Sequence, residues 1–116
     1  MKYMFLIAGS DEAWDAMDAE TQRAQLERAR AWWGDHTATG EILEGYQLQP
    51  AATATTVRLD QEGTATVTDG PFVEGKEMVG GYGIIEVPDL DAAIKLVSSW
   101  PGETTMEIRP IVDPQR

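Results

Sequence analysis

An α+β fold with element order βαββαβ and one added β-hairpin is predicted by three observations. Apolar, branched runs of strand character stand at Lys2 to Ala8, at Tyr82 to Val87 and at Thr105 to Val112. Two stretches with helical spacing, Asp18 to about Thr39 and Asp89 to Trp100, fall between them. Two threonine- and valine-rich runs surround a polar turn in the middle of the chain. This order folds as a split βαβ, the ferredoxin-like arrangement, with two helices on one face of an antiparallel sheet. The 116 residues form one domain, 1–116, large enough for one core and too small for two.

The first run, Lys2 to Ala8, is continuously apolar, as expected for a central strand covered on both faces, and Gly9-Ser10-Asp11 ends it. An acidic, irregular linker containing Trp14 follows. Asp18 is placed to cap a helix by accepting an amide hydrogen bond from its first turn. Within that helix Leu26, Ala29 and Trp33 make one apolar stripe, and Gln25, Ala29, Trp32 and His36 make a neighbouring one. Gly40 ends it.

Glu41 to Gln49 reads as a strand, irregular at Gly45 and stopped by Pro50. The added hairpin pairs Ala54 to Leu59 with Thr64 to Thr68 across the turn Asp60 to Gly63. After Tyr82 to Val87, Asp89 caps a helix whose face is Leu90, Ala93, Ile94 and Val97, and Pro101 stops it. The free face of the resulting sheet, with Met4 or Phe5, Ile84 or Ile85, and Met106 or Ile108, needs cover. A homodimer formed sheet to sheet is the expected solution.

Composition narrows the function classes. With 20 acidic against 9 basic side chains the net charge is −11, which repels nucleic acid and anionic membrane surfaces. The apolar run Tyr3 to Ala8 is far shorter than a signal-peptide core or a spanning helix, so a cytoplasmic location is expected. No cysteine is present to form a disulfide, a thiolate metal site or a thiol nucleophile. A single histidine gives no transition-metal spacing, so neither a metal nor a cofactor is expected.

The stretch Val67 to Tyr82 concentrates turn chemistry and charge: Asp69-Gly70-Pro71-Phe72, then Glu74, Lys76 and Glu77, then Gly80-Gly81. Asp-Gly sets a turn, Pro71 fixes its exit, and the paired glycines permit a close backbone approach. Candidate catalytic residues are Asp69, Glu74 and Lys76. A carboxylate with a raised pKa moves protons, and a lysine holds an anionic substrate. Candidate binding residues are Glu77, Tyr82, Arg109, Trp32, Gln25 and His36, the last also a proton-transfer candidate. Each has a structural alternative. Asp69 would cap the turn, Lys76 would pair with Glu74 or Glu77 at the surface, and Phe72 would plug the loop onto the body.

Three segments, Met1 to Ile7, Leu48 to Arg58 and Val67 to Glu77 with Gly80-Gly81-Tyr82, resemble the YCII-related superfamily, and more closely its DGPF-domain branch. The resemblance implies a dimeric α+β barrel of ferredoxin-like subunits. Some YCII-like proteins are lyases that expel chloride, and a His-Asp pair has been proposed as the family's active site. Those two positions fall on Gln25 and Trp100, neither of which serves as the acid or base of such a pair. The branch is often encoded beside sigma factors of the extracytoplasmic-function type. Two functions are therefore expected: a cofactor-independent lyase or isomerase, or a non-catalytic module that binds a metabolite or a regulatory protein.

Overall fold

A computed structural model of the chain describes residues 1–73 and 75–113. Its elements in order are β1 (Lys2–Gly9), α1 (Asp11–Asp15), α2 (Ala19–Ala38), β2 (Ile42–Gln47), a 3-10 turn (Ala51–Thr53), β3 (Thr55–Leu59), β4 (Ala65–Asp69), β5 (Met78–Glu86), α3 (Leu90–Ser98) and β6 (Thr105–Pro110). The helices begin at side-chain caps. Asp18 accepts the Thr21 amide at 2.7 Å, and Asp89 accepts the Ala92 amide at 2.9 Å. Hydrogen bonds from Thr21, side chain first and backbone second, hold the Asp18 carboxyl below its ordinary pKa. Gly40, at φ 84°, takes the left-handed turn that lets the chain leave α2.

The four-stranded sheet runs β2-β5-β1-β6 and is antiparallel throughout, so β1 and β2 are split by β5. This is an α+β fold compatible with the ferredoxin-like arrangement. Side chains alternate across the strands, which sends Tyr3, Phe5, Ile85 and Ile108 under the helices. Phe5 and Ile85 are fully buried. The Phe5 ring lies 6.0 Å from Trp32 and 5.6 Å from Trp33, centroid to centroid. Gly83 and Gly45 leave the floor open for these rings, because a Cβ at Gly83 would collide with Phe5 and one at Gly45 with Trp33. Among the described residues no helix is long and apolar enough to cross a membrane.

Four expectations change. The linker containing Trp14 is a short helix, started by Ser10 accepting the Ala13 amide, and its five residues are too few to show a period. Leu26 is exposed, whereas Trp32 is buried and Trp33 packs partly buried against the core, so α2 meets the sheet through Trp32 and Trp33, one from each stripe. β5 starts at Met78 rather than at Tyr82, and its register against β1 shifts at Gly80. β6 ends at Pro110, leaving Ile111 and Val112 exposed beyond it.

The sheet's other face carries no helix. Register places Met4 beside Ile84, Leu6 beside Tyr82, and Tyr82 beside Tyr46 on that face, with Glu107 and Arg109 along β6. β3 and β4 form a separate two-stranded sheet. Its turn is held by Asp60, whose Oδ1 accepts the amides of Glu62 and Thr64 at 2.9 Å. The radius of gyration is 16.4 Å, against about 13 Å for a compact chain of this length. β3 and β4 pack chiefly on each other, so the hairpin stands out from the four-stranded sheet as an arm.

Candidate functional site

In the stretch between β4 and β5 the anchor among the described residues is Gly70. Gly70, at φ 100°, donates its amide to the Ala54 carbonyl at 2.8 Å and accepts the Thr56 hydroxyl at 2.7 Å. Both anchors come from the other side of the hairpin, so the loop is tied to the arm. Phe72 does not plug onto the body: it is 67% exposed, with the Arg58 guanidinium 4.8 Å above its ring. At the far end Leu48 donates to the Gly80 carbonyl at 2.9 Å. A Cβ on Gly81 would sit 3.2 Å from the Tyr46 carbonyl, which explains why a glycine suits that approach.

Two clefts flank this loop. The larger, about 450 Å³, is walled by Leu48, Pro50, Pro71, Phe72, Val73 and Met78 among others, and among the described residues no carboxylate lines it. The smaller, about 380 Å³, is lined by Ser10, Asp11, Glu12, Gly75, Lys76 and Met78. Lys76 therefore faces a polar cleft. Asp69 closes β4, is exposed, and lines neither cleft; Glu77 is likewise exposed and outside both. Glu74 lies outside the described residues.

The remaining candidates divide between the two faces of the sheet. Tyr82 and Arg109 share the helix-free face, where Tyr82 lies 6.1 Å from Tyr46 and Arg109 is paired with Glu107. Gln25, Trp32 and His36 share α2, on the opposite face. The Gln25 amide and the Trp100 indole nitrogen both lie within 3.4 Å of the point where a Gly102 Cβ would stand. The two positions on which the His-Asp pair would fall are thus neighbours in space. Neither residue is an acid or a base.

Beside them is a hydrogen-bonded series that joins α2, β2 and α3. His36 Nδ1 lies 2.9 Å from Glu41 Oε1, and the Thr39 hydroxyl donates to the same oxygen at 2.8 Å. The His36 hydrogen bond, followed by that of Thr39, holds the Glu41 carboxyl below its ordinary pKa. His36 Nε2 lies 3.5 Å from Ser99 Oγ. The order carboxylate, imidazole, hydroxyl has the connectivity of a hydrolytic triad, but its chemistry is committed elsewhere. Ser99 donates its proton to the Leu96 carbonyl at 2.6 Å and accepts the Trp32 indole N–H at 2.8 Å. Ser99 also caps the C-terminus of α3, whose carbonyl ends disfavour a developing oxyanion.

The series therefore ties secondary structure together and fixes the Trp32 ring against Trp100, at 5.0 Å. Glu41 and Ser99 were not singled out by sequence. Glu41 was within reach of such reasoning, five residues after His36 and just past the helix-ending Gly40. Ser99 is 63 residues away from His36 and gave no local signal.

The chain is similar to an uncharacterized protein of Rhizobium meliloti (strain 1021), with 27% identity over 115 residues that span 96% of this chain and 92% of the relative. The model of the YCII-related domain matches residues 1–113. With nearly its whole length matched and the antiparallel sheet and helices in place, the chain belongs to the YCII-related family.

Proposed function

We propose that this YCII-related protein is a non-catalytic, homodimeric module that binds a small apolar ligand in the larger cleft beside the signature loop. The observation that carries this reading is the cleft wall: Leu48, Pro50, Pro71, Phe72, Val73 and Met78 supply apolar surface, and among the described residues no carboxylate lines it. Binding sites of this kind are concave and largely apolar, with few polar groups. A lyase or isomerase would need an acid or base at the ligand. Asp69 and Glu77, the described carboxylates of the signature loop, lie outside the lining. Lys76 belongs to the neighbouring cleft, where it would select for charge rather than for the apolar ligand.

The dimer in this proposal is the α+β barrel formed when two helix-free sheet faces meet. Met4, Leu6, Tyr82 and Ile84 leave that face apolar at its centre, which favours such closure. A regulatory protein partner would recognise the liganded dimer.

The test is a thermal-shift screen of small aromatic and aliphatic compounds on the unaltered chain, on Phe72→Ala and on Asp69→Asn. A compound that raises Tm in the unaltered chain and in Asp69→Asn, and fails to do so in Phe72→Ala, supports the reading. Loss of the shift in Asp69→Asn with retention in Phe72→Ala would move the site to the carboxylate and revive the enzyme.

A further inference from the structure

Among the described residues the wall of the larger cleft holds no charged side chain, and its polar side chains are Gln49 and Thr53. The Thr53 hydroxyl is committed, donating to the Pro50 carbonyl at 2.7 Å. One cation nevertheless stands against that wall. The Arg58 guanidinium lies 4.8 Å from the centre of the Phe72 ring, and Phe72 lines the cleft. The contact follows from the way the loop is tied to the arm. Gly70 donates to the Ala54 carbonyl and accepts the Thr56 hydroxyl, and Phe72, just beyond it, meets the same face of β3 at Arg58.

Among the described residues no carboxylate forms an ion pair with Arg58. It faces Thr66 across the hairpin, and Thr56 and Thr68 continue that face. Asp69 stands opposite Thr55, which alternation puts on the other face. Asp60, at the turn, accepts the amides of Glu62 and Thr64. Attraction to a ring uses the charge of the guanidinium, whose N–H donors form a planar fork that fits a carboxylate with two parallel hydrogen bonds.

We infer that the ligand of the larger cleft is a small monocarboxylate, with its apolar body against Leu48, Pro50 and Phe72 and its carboxylate on the Arg58 guanidinium. The inference rests on the apolar-cleft reading above and names the class of ligand that the cleft selects. Apolar contact sets the shape accepted, and the charge-assisted pair sets which end of the ligand points toward the arm. A net charge of −11 repels a multiply charged anion more strongly than a singly charged one, which favours a single acid group. Lys76 is the competing cation, because it lines the smaller cleft and Met78 lines both. Arg58 is the cation in contact with a ring of the larger cleft.

The test is an amide NMR titration of the full chain at neutral pH with two matched pairs of probes, cinnamate against cinnamamide and octanoate against octanamide. At that pH the acids are ionised and the amides are uncharged. In the unaltered chain the tighter-binding acid should exceed its amide in affinity at least tenfold. Arg58→Gln should bring that acid down to the affinity of its amide and leave the amide unchanged, while Arg58→Lys, which keeps the charge and loses the planar fork, should fall between. An acid that binds no better than its amide, or an equal loss for both in Arg58→Gln, would mean that Arg58 only steadies the Phe72 ring; the inference then fails and the apolar cleft stands. A preference for the acid that survives Arg58→Gln and disappears in Lys76→Gln would place the carboxylate in the smaller cleft and likewise overturn it. If none of the four probes shifts the amides of Leu48, Phe72 and Val73, the apolar-cleft reading fails as well.

Discussion

The two ends of β5 meet opposite surroundings. At its C-terminal end Ile85 is fully buried beneath the helices, next to Val87 and Phe5, and the nearby polar groups of α2 and α3 are joined in one hydrogen-bonded series. At its N-terminal end Val79 is 45% exposed, and the chain continues back into the signature loop, the clefts and the arm. The packed end contains the histidine, carboxylate and hydroxyl that resemble catalytic machinery, while the loose end contains the motif. Hydrogen bonds that are all satisfied within the fold make a strut, whereas apolar surface left uncovered invites a ligand or a partner. We therefore propose recognition at the open end.

That contrast predicts unequal responses to substitution. Phe5→Ala removes a fully buried ring from between two tryptophans and should cost about 3–5 kcal/mol in urea unfolding. Phe72→Ala, at an exposed ring, should stay within about 0.5 kcal/mol while it empties the cleft. Equal losses at the two positions would mean that the signature loop is part of the core.

A smaller effect separates strut from site at Glu41. Its folded pKa lies below the ordinary 4.5, through the His36 hydrogen bond first and that of Thr39 second. The stabilisation is therefore complete above about 4.5 and disappears as pH falls through the lower, folded value. Because the Glu41 side chain is 39% exposed, solvent screening keeps the contribution to about 0.5 kcal/mol or less. Glu41→Gln should flatten the fall in stability as pH drops below about 4.5, read by urea titration, without altering ligand affinity. Loss of affinity in that variant would make the helix-side series functional.

Much of the fold was legible because local rules and the tertiary structure agree. Asp18 and Asp89 cap the helices that their positions announce, Gly40 ends α2, and the threonine-valine runs pair across the Asp60 turn. The failures arose where two patterns were equally good or where the partner was distant. α2 has two adjacent stripes, and only its crossing over the sheet decides that Trp32 rather than Leu26 is buried. The paired glycines of β5 agree with the close approach expected there: the register against β1 shifts at Gly80, and a Cβ on Gly81 would crowd the Tyr46 carbonyl. The site was less legible than the fold. The motif lies beside both clefts, yet of its candidate residues Asp69 lines neither, Lys76 lines the smaller, and the larger is walled by Phe72, Val73 and residues of the segment after β2. Exposure of Phe72 depends on where the arm points, which no local pattern records.

The central claim, that recognition occupies the open end and the His36 series is structural, is tested most directly by an amide NMR titration with a compound that raises Tm. Saturable shifts at the amides of Leu48, Ala51, Phe72, Val73 and Met78, with those of His36, Glu41 and Ser99 unmoved, are the predicted result. Shifts centred on His36 and Ser99, with the signature loop unmoved, would contradict it.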